Sequence, residues 1–356
     1  ITGSCGKTSL KEMLKKILTK FGTISCSPKS FNNKYGVPLS LFNLNPKHNY
    51  GVFEIGMDKK GEIDYLSKII KPDVGIITNI SYAHAKNFKN IKEIAMAKAE
   101  IINNIDPNGT LVLNADDLFF NLHKKIALKK KLKVLTFSVS KKSNIKLKYV
   151  KKEGKKFKIS IILNKKNKFF YTSCNFKNFI NNLLATITII SIFKDPTKLD
   201  KNIFYNFNFP NGRGDVSKLR IMKKNIYLVD ESYNSNPLSL KSAIENFNLI
   251  NTNNKKHMIL GDMLELGNHS KNLHRKVSPV INATSINKVH VFGNHIRETY
   301  RNIAPSKKGI IFKESSEIID LIKNKLNNND YLMIKGSNST GLYKFTKQLK
   351  NIKNAL

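Results

Sequence analysis

The sequence of 356 residues has no tryptophan and few cysteines, namely Cys5, Cys26 and Cys174. The cysteines lie far apart, without a CxxC pair or a spacing typical of metal sites. Their scarcity argues against a disulfide framework or a zinc fold and favours a reducing compartment. The sequence also lacks an apolar run of about 18 residues and a signal peptide. We therefore expect a cytoplasmic protein that does not insert into a membrane.

Acidic residues are scarce as well. The chain has 25 Asp and Glu against 62 Lys and Arg, and its formal net charge is +37 at pH 7. Such a charge is typical of proteins that bind polyanions, such as nucleic acid or anionic lipid. However, lysine greatly outnumbers arginine, asparagine is abundant, and lysines run along the whole chain, which is the pattern of a strong A/T codon bias. Because no known nucleic-acid module occurs, we predict no nucleic-acid partner.

The length predicts at least two domains. Alternating strand and helix patterns indicate an α/β fold, with antiparallel hairpins over 144–172. Strands are predicted again at 226–230, 257–260, 288–292 and 331–335. A turn-rich segment at 210–215 separates the two runs. We predict a P-loop ATPase domain over 1–212, with a parallel sheet and a small antiparallel flank. A Rossmann-like α/β domain follows over 213–356.

A phosphate-binding loop opens the chain and precedes a helical pattern over 10–18. Its glycines let backbone amides point at an anion, its lysine reaches the β- and γ-phosphates, and its threonine hydroxyl can bind Mg²⁺. Two residues, rather than four, separate these glycines. A buried strand normally leads into such a loop, so we expect that the sequence is truncated at its N-terminus. The residues predicted to bind nucleotide here are Gly3, Ser4, Cys5, Gly6, Lys7, Thr8 and Ser9.

A carboxylate lies within the next predicted strand, residues 50–56. Glu54 follows apolar residues, and a buried charge requires a partner. At the carboxyl end of a strand beside a phosphate loop, that partner is Mg²⁺. The alternative is that Glu54 is an ordinary charged residue at the edge of the sheet, without a ligand. In the turn-rich segment before this strand, Asn32 and Asn33 either face a substrate or cap the turn.

Two further polar residues follow predicted buried elements. His84 comes after the strand predicted at 74–80, which ends in Thr78-Asn79. It is a metal ligand, a cap or a solvated side chain. Lys98 lies among small and apolar residues of a helix predicted over 91–104, where the simple alternative is a lysine that extends its ammonium to the surface.

The motifs occur in one order along almost the whole chain, and together they resemble the Mur ligases of peptidoglycan synthesis. The resemblance implies an ATP-dependent amide ligase that forms an acyl phosphate on a nucleotide-linked peptide. The last three motifs favour the branch that joins D-Ala-D-Ala to UDP-N-acetylmuramoyl-tripeptide. The motifs are Thr2 to Ser9, Lys11-Glu12-Met13, Glu54-Ile55-Gly56, Gly61-Glu62-Ile63, Lys71-Pro72-Asp73-Val74, Thr78-Asn79-Ile80, Ala83-His84, Ala97-Lys98-Ala99-Glu100-Ile101, Asn114-Ala115-Asp116-Asp117, Gly212-Arg213-Gly214, Tyr233-Asn234-Ser235-Asn236-Pro237 and Gly261-Asp262-Met263-Leu264-Glu265-Leu266-Gly267.

The resemblance also implies roles for individual residues. Thr8 and Glu54 hold one Mg²⁺, and His84 helps to hold a second Mg²⁺ with Lys98 as a carbamylated lysine. The charges that must meet in the reaction are neutralised in part by Lys7 and Arg213. The residues expected near the nucleotide are Asn182, by the adenine, together with Asn234 and Asn236. We expect a monomer.

The chain departs from the family pattern at a few places. Asn178-Phe179 replaces the usual His-Asn, Glu231 replaces an aspartate, and the N-terminal domain that grips UDP is missing from the sequence. Two alternatives remain. One is a related ligase that adds a single amino acid, and the other is a basic P-loop NTPase that binds nucleic acid.

Overall fold

The computed structural model describes residues 1–163, 165–221 and 223–352. The chain forms two compact units, of which the first covers Ile1–Asn208 and the second begins at Phe209. The predicted boundary lies a little later, between residues 212 and 213, and the assignment of the two domains stays a prediction.

The first unit contains a two-stranded and a six-stranded sheet with helices between the strands. Its helices are α1 (Lys7–Leu18), α2 (Gly36–Leu41), α3 (Glu62–Ile70), α4 (Ile91–Ala99), α5 (Phe120–Lys129) and α6 (Lys177–Phe193). Short 3₁₀ helices cover Ala85–Asn87, Glu100–Asn104 and Pro196–Lys198. The strands are β1 (Ile24–Cys26), β2 (Tyr50–Val52), β3 (Val74–Ile77), β4 (Thr110–Asn114), β5 (Lys133–Ser138), β6 (Ile145–Glu153), β7 (Lys156–Leu163) and β8 (Lys166–Thr172).

The larger sheet has the order β3-β4-β5-β6-β7-β8. Strands β3 to β6 pair in parallel, and β6, β7 and β8 form antiparallel hairpins. The parallel strand β4 is almost continuously apolar because both of its faces are covered, whereas the hairpins alternate lysine with apolar residues. The predicted parallel sheet with an antiparallel flank is therefore confirmed.

The start of the chain joins the two sheets of this unit. Thr2 forms a parallel bridge with Ile77 at the end of β3. On the other side, the Ile55 amide donates a 2.8 Å hydrogen bond to the Ile1 carbonyl. The phosphate loop thus begins between the segment that follows β2 and the strand β3.

Some element boundaries differ from the predictions. The strand predicted over 50–56 ends at Val52, and α1 begins at Lys7 rather than at residue 10. The helix predicted over 91–104 is α-helical only to Ala99 and continues as a 3₁₀ helix. Periodicity locates elements better than it locates their ends.

The second unit is built on a single sheet of order β13-β12-β11-β14-β10-β9. Its strands are β9 (Asp215–Ile221), β10 (Lys224–Asp230), β11 (Lys256–Gly261), β12 (Lys288–Phe292), β13 (Lys308–Phe312) and β14 (Tyr331–Lys335). Its helices are α7 (Pro237–Asn248), α8 (Ser270–Arg275), α9 (Ser278–Asn282), α10 (Arg297–Asn302), α11 (Ser316–Asp320) and α12 (Leu342–Ile352). A π-helical turn covers Leu321–Lys325, and 3₁₀ helices cover Gly267–His269, Pro305–Lys307 and Asn338–Thr340.

All the pairs in this sheet are parallel except β9 with β10. The four predicted strands are present, and the Rossmann-like α/β prediction is confirmed. The edge strands β9 and β13 were not predicted. Edge strands are only partly covered, so their hydrophobic pattern is weak; Val216 in β9, for example, is 54% exposed. Among the described helices, none is long and apolar enough to cross a lipid bilayer.

Candidate active site

The phosphate loop requires glycine at two positions. Gly3 has φ +140°, and a Cβ there would lie 1.9 Å from Thr78 Oγ1. Gly6 has φ +84° and precedes the first turn of α1, and a Cβ there would lie 3.0 Å from Asn182 Oδ1. Side chains rarely adopt such φ values, and both positions are crowded. The loop conformation therefore excludes larger residues at Gly3 and Gly6.

The end of β3 holds this loop in place. Asn79 Oδ1 accepts a 2.9 Å hydrogen bond from the Cys5 amide, and Asn79 Nδ2 donates to the Cys5 carbonyl at 3.1 Å. The Thr78 hydroxyl also donates to the Cys5 carbonyl, at 2.7 Å. Thr78 and Asn79 end the strand predicted at 74–80, and no role was predicted for them. The sequence feature that could have predicted this role is their position, because both are polar residues at the carboxyl end of a strand beside the loop.

The remaining loop residues are arranged around the start of α1. Lys7 Nζ donates to the Gly3 carbonyl at 2.9 Å, so this side chain folds back over the loop. The Ser4 hydroxyl donates to the Ser81 carbonyl at 2.9 Å, and Ser9 is half-buried in the first helical turn. From α6, Asn182 Nδ2 lies 3.4 Å from the Gly6 carbonyl. Asn182 therefore contacts the loop, and its predicted place near adenine stays a prediction.

Thr8 and Glu54, predicted to share a cation, are in direct contact. The Thr8 hydroxyl donates to Glu54 Oε2 at 2.7 Å, and Asn32 Nδ2 donates to Glu54 Oε1 at 2.7 Å. Ser30 Oγ lies 3.3 Å from Thr8 Oγ1, and Glu54 is only 1% exposed. Mg²⁺ prefers such hard oxygen ligands, so the donors present here fit this ion.

A buried lysine of α1 secures the loop that carries Ser30 and Asn32. Lys11 is fully buried, and its Nζ donates to the carbonyls of Ser27 (2.6 Å) and Lys29. The Ser27 hydroxyl accepts a hydrogen bond from the Glu54 amide at 3.1 Å. Asn33 points elsewhere than Asn32. Its Oδ1 accepts hydrogen bonds from the backbone amides of residues 35 and 36 in the same turn. Of the two asparagines, one reaches the candidate site and the other caps its turn.

His84 pairs with the carboxylate of Asp58, a residue that was not predicted to belong to the site. His84 Nδ1 lies 2.9 Å from Asp58 Oδ1, and the His84 backbone is left-handed, with φ +55°. Asp58 lies four residues after Glu54 in the sequence, and this spacing did not indicate a role for it. His84 and Asp58 together offer a nitrogen and oxygen donors in the first unit.

Lys98 is a buried amine beside the phosphate loop. It is 2% exposed, so it does not extend its ammonium to the surface. Burial lowers the pKa of Lys98 well below its usual range, and the nearby charge of Lys7 lowers that pKa further. Cys5 and the Glu100 carboxylate act in the opposite direction, but their effect is smaller than that of burial. A neutral amine is the form that reacts with CO₂, so this environment suits a carbamate.

In the second unit, Arg213 lies against an aromatic ring. Its Cζ is 4.2 Å from the centre of the Tyr233 ring, which makes an edge contact with Tyr343 of α12 at 5.1 Å. The neighbouring Glu231 carboxylate is 3.4 Å from Lys335 Nζ. Burial raises the pKa of Glu231, and Lys335 opposes that rise. The glutamate that replaces an aspartate is therefore paired with a lysine.

The asparagines predicted to meet the nucleotide have local structural partners. Asn236 is the N-cap of α7, where its side chain accepts from the Ser239 amide at 2.9 Å in a capping box. Asn234 Oδ1 accepts from the Ser235 amide, and the Asn234 carbonyl accepts from Lys335 Nζ at 2.9 Å. Phe179, the other departure, is buried in the core 5.8 Å from the Phe207 ring. Nucleotide contacts by Asn234 and Asn236 stay predictions.

Comparison with known families gives matches over both units. The Mur ligase middle domain matches residues 1–190, and the glutamate ligase domain of Mur ligases matches residues 219–338. A UDP-N-acetylmuramoyl-tripeptide–D-alanyl-D-alanine ligase of Buchnera aphidicola is 34% identical over 98% of this chain and 75% of its own length. The enzyme of the same name from Rickettsia prowazekii is 32% identical over 97% of this chain and 76% of its own length.

The folds also agree. A crystal structure of MurF from Acinetobacter baumannii superposes with a TM-score of 0.85 and 26% identity, covering 98% of this chain and 75% of that one. The matched domains span the phosphate loop, Glu54 and the segments that follow β10, β11 and β14 in the second unit. The chain therefore belongs to the Mur ligase family.

Proposed function

We propose that this chain is the ATP-dependent ligase that joins D-Ala-D-Ala to UDP-N-acetylmuramoyl-tripeptide. The observation that carries the proposal is the phosphate loop, with Lys7 folded over it and Thr8 bonded to the buried Glu54. This arrangement suits a nucleoside triphosphate with a divalent cation. The names of the similar ligases support the choice of acceptor and amine.

In the proposed reaction, the peptide carboxylate attacks the γ-phosphorus of ATP and ADP leaves. The amine of D-Ala-D-Ala then attacks the acyl phosphate, and the tetrahedral intermediate loses phosphate to give the amide. Two anions must approach each other in the first step, so the site has to supply positive charge. We assign that role to Lys7 and to Arg213, whose guanidinium is held on Tyr233. The amides of the loop orient the phosphates.

We assign one Mg²⁺ to Thr8 and Glu54 and a second to His84 and a carbamylated Lys98. Bound Mg²⁺ would supply charge neutralisation at the phosphates. For the carbamate, the neutral Lys98 nitrogen bonds to the carbon of CO₂, electrons of one C=O bond move to oxygen, and a proton leaves the nitrogen. This converts a buried amine, whose pKa is lowered by burial, into an anionic oxygen ligand.

The carbamate is tested without an activity assay. The protein is equilibrated with ¹³C-bicarbonate and examined by ¹³C NMR, with Lys98→Gln and the exposed Lys92→Gln as a matched pair on α4. We expect one carbamate carbonyl signal that is present in the parent and Lys92→Gln and absent in Lys98→Gln. A signal unchanged in Lys98→Gln, or no signal in the parent, would contradict the assignment.

We also propose that residues 1–212 act as the ATP-binding domain and residues 213–356 as the C-terminal domain of a cytoplasmic monomer. Asn182, Asn234 and Asn236 are assigned to the nucleotide. For Asn182 the support is its position on the phosphate loop, at the Gly6 carbonyl.

The function is tested by phosphate release from ATP and Mg²⁺ with the UDP-linked tripeptide, with and without D-Ala-D-Ala. The protein is expressed with any flanking sequence that its gene encodes. We expect release that requires the dipeptide and is lost in Lys7→Ala. Release triggered by a single amino acid instead would identify a related ligase. ATP turnover that responds only to nucleic acid would support the basic NTPase alternative.

A further inference from the structure

The positive charge of this protein is unevenly distributed. Residues 1–117 contain 16 lysines and 11 acidic residues, which largely balance. Residues 118–194 contain 20 lysines, no arginine and a single acidic residue, Glu153. About half of the net charge therefore lies in about a fifth of the chain. Lysines run through the whole sequence, but carboxylates are almost absent from this segment, and a uniform compositional bias does not explain that difference.

The fold gathers much of this charge on the hairpin sheet formed by β6, β7 and β8. Residues directly opposite each other in a sheet share a face. Lys151 is opposite Lys158, which is opposite Tyr171, and Glu153 is opposite Lys156. The reverse face carries Ile159 and Phe170, both fully buried in the core. The cations on the outward face, called here the lysine face, are Lys146, Lys148, Lys151, Lys156 and Lys158.

The lone carboxylate of the segment neutralises little of this face. Glu153 lies 4.0 Å from Lys158 and 3.3 Å from the Tyr171 hydroxyl. Lys151 and Lys156 are exposed. Strands β3 and β8 form the two opposite edges of the six-stranded sheet, and the phosphate loop lies beside β3. A partner on the lysine face would therefore leave the phosphate loop open.

The aromatic residues of the lysine face distinguish between two kinds of polyanion. Lys158 Nζ lies 4.4 Å from the centre of the Phe169 ring, and Lys156 Nζ lies 5.5 Å from that of Tyr171. Base stacking needs open rings, and lysines cover these two rings, so that Tyr149 is left as an exposed ring of the face. Arginine, which gives bidentate contacts to phosphates and bases, is absent from the segment, whereas lysine ammonium groups act as hydrated point charges. Both features favour a diffuse anionic surface over a nucleic-acid strand.

We propose that the lysine face binds peripherally to bilayers that contain anionic lipids. Several ammonium groups on one face of a sheet complement the negative potential of such a bilayer, and each contributes attraction near the surface. Tyr149 on the same face is 43% exposed and has the amphipathic ring that is favoured at a headgroup layer. Binding requires no helix to enter the hydrocarbon.

The test is sedimentation of the full chain with vesicles of phosphatidylcholine, alone or with about a third phosphatidylglycerol. One variant replaces the five lysines of the lysine face by glutamine. The control replaces five exposed lysines from residues 1–117, namely Lys59, Lys60, Lys68, Lys89 and Lys92, so that both variants lose the same charge. Circular dichroism and thermal unfolding of each variant verify that it is folded.

We expect the parent to bind the anionic vesicles about tenfold or more above the neutral ones, with binding lost at high salt. The lysine-face variant should lose at least about tenfold, and the control about threefold or less. Equal losses in both variants would attribute binding to total charge and overturn the proposal, as would equal binding to both vesicle types. A lysine-face variant that loses binding to a single-stranded oligonucleotide but keeps vesicle binding would assign the face to nucleic acid instead.

Discussion

The Thr8 hydroxyl at the start of α1 donates a 2.7 Å hydrogen bond to the Glu54 carboxylate, which follows β2. Glu54→Gln keeps the size and an acceptor oxygen but removes the charge that a cation needs. We expect ATP turnover to fall by about 10²–10³-fold, with little change in thermal unfolding. Turnover measured against Mg²⁺ concentration checks this, and the exposed Glu314→Gln is the control. Full activity in Glu54→Gln would remove Glu54 from the cation site.

The side chain of Asn79 holds the phosphate loop through both the amide and the carbonyl of Cys5. Asn79→Ala removes two hydrogen bonds worth about 1 kcal/mol each, so we expect ATP affinity to fall at least about tenfold. Titration calorimetry with a non-hydrolysable ATP analogue measures the effect. The surface variant Asn43→Ala should bind normally. If Asn79→Ala bound as tightly as the parent, the loop would not depend on the end of β3.

Lys350 of α12 joins two carboxylates that are distant in sequence. Its Nζ lies 2.5 Å from Asp215 Oδ2 and 2.5 Å from Asp230 Oδ2, and Asp230 is fully buried. Burial lowers the pKa of Lys350, but the hydrogen bonds to both aspartates outweigh it and raise that pKa. The raised pKa means that this stabilisation is present below the ordinary lysine pKa and is lost as the pH rises through the folded value.

Lys350→Met leaves Asp230 buried without its cation. We expect the free energy of unfolding to fall by about 3–5 kcal/mol, measured by urea denaturation near pH 7. Lys344→Met, on the exposed side of the same helix, should change it by less than about 0.5 kcal/mol. Asp215 also accepts the Gly212 amide at 2.6 Å, next to Arg213, so we expect ligase activity to fall as well. Equal stability in the two variants would contradict this role for Lys350.

Two buried histidines make the second unit sensitive to acid. His290 Nδ1 accepts the Ile310 amide at 3.0 Å, and His290 Nε2 lies 3.3 Å from His257 Nδ1. Burial lowers the pKa of His290 to about 3, helped by His257, Lys325 and Lys288. Burial also lowers the pKa of His257. Asp330, whose carboxylate lies 3.9 Å from His257 Nε2, partly opposes this effect.

Because the folded pKa of His290 is lowered, the unfolded chain binds more protons, and stability is lost as the pH falls below about 6.5. From pH 7.5 to 5, His290 should remove about 2 kcal/mol of stability. Hydrogen exchange of the β11 and β12 amides, corrected for its intrinsic pH dependence, measures this loss. His290→Asn can still accept the Ile310 amide and should flatten the dependence, whereas His48→Asn should not. If stability fell with pH as steeply in His290→Asn as in the parent, His290 would not be the source of the acid sensitivity.

The local pattern of the sequence was enough to predict the phosphate loop and the central strands of the second unit. Glycines with a following lysine and threonine define an anion site at a helix start, and continuous apolar strands indicate a covered parallel sheet. The order of the strands and the edge strands β9 and β13 could not be predicted in this way. Edge strands bury little apolar surface and so carry a weak periodic signal.

Residue by residue, the sequence alone determined which side chains have the chemistry for the site, among them Lys7, Thr8, Glu54 and Lys98. The tertiary structure decided their partners. Asn32 reaches Glu54 while its neighbour Asn33 caps a turn, and Lys350 pairs with Asp215 from 135 residues away. The physical reason is that backbone propensity and hydrophobic period act over a few residues. Hydrogen bonds and ion pairs between distant residues depend on which strand ends meet at one edge of a sheet.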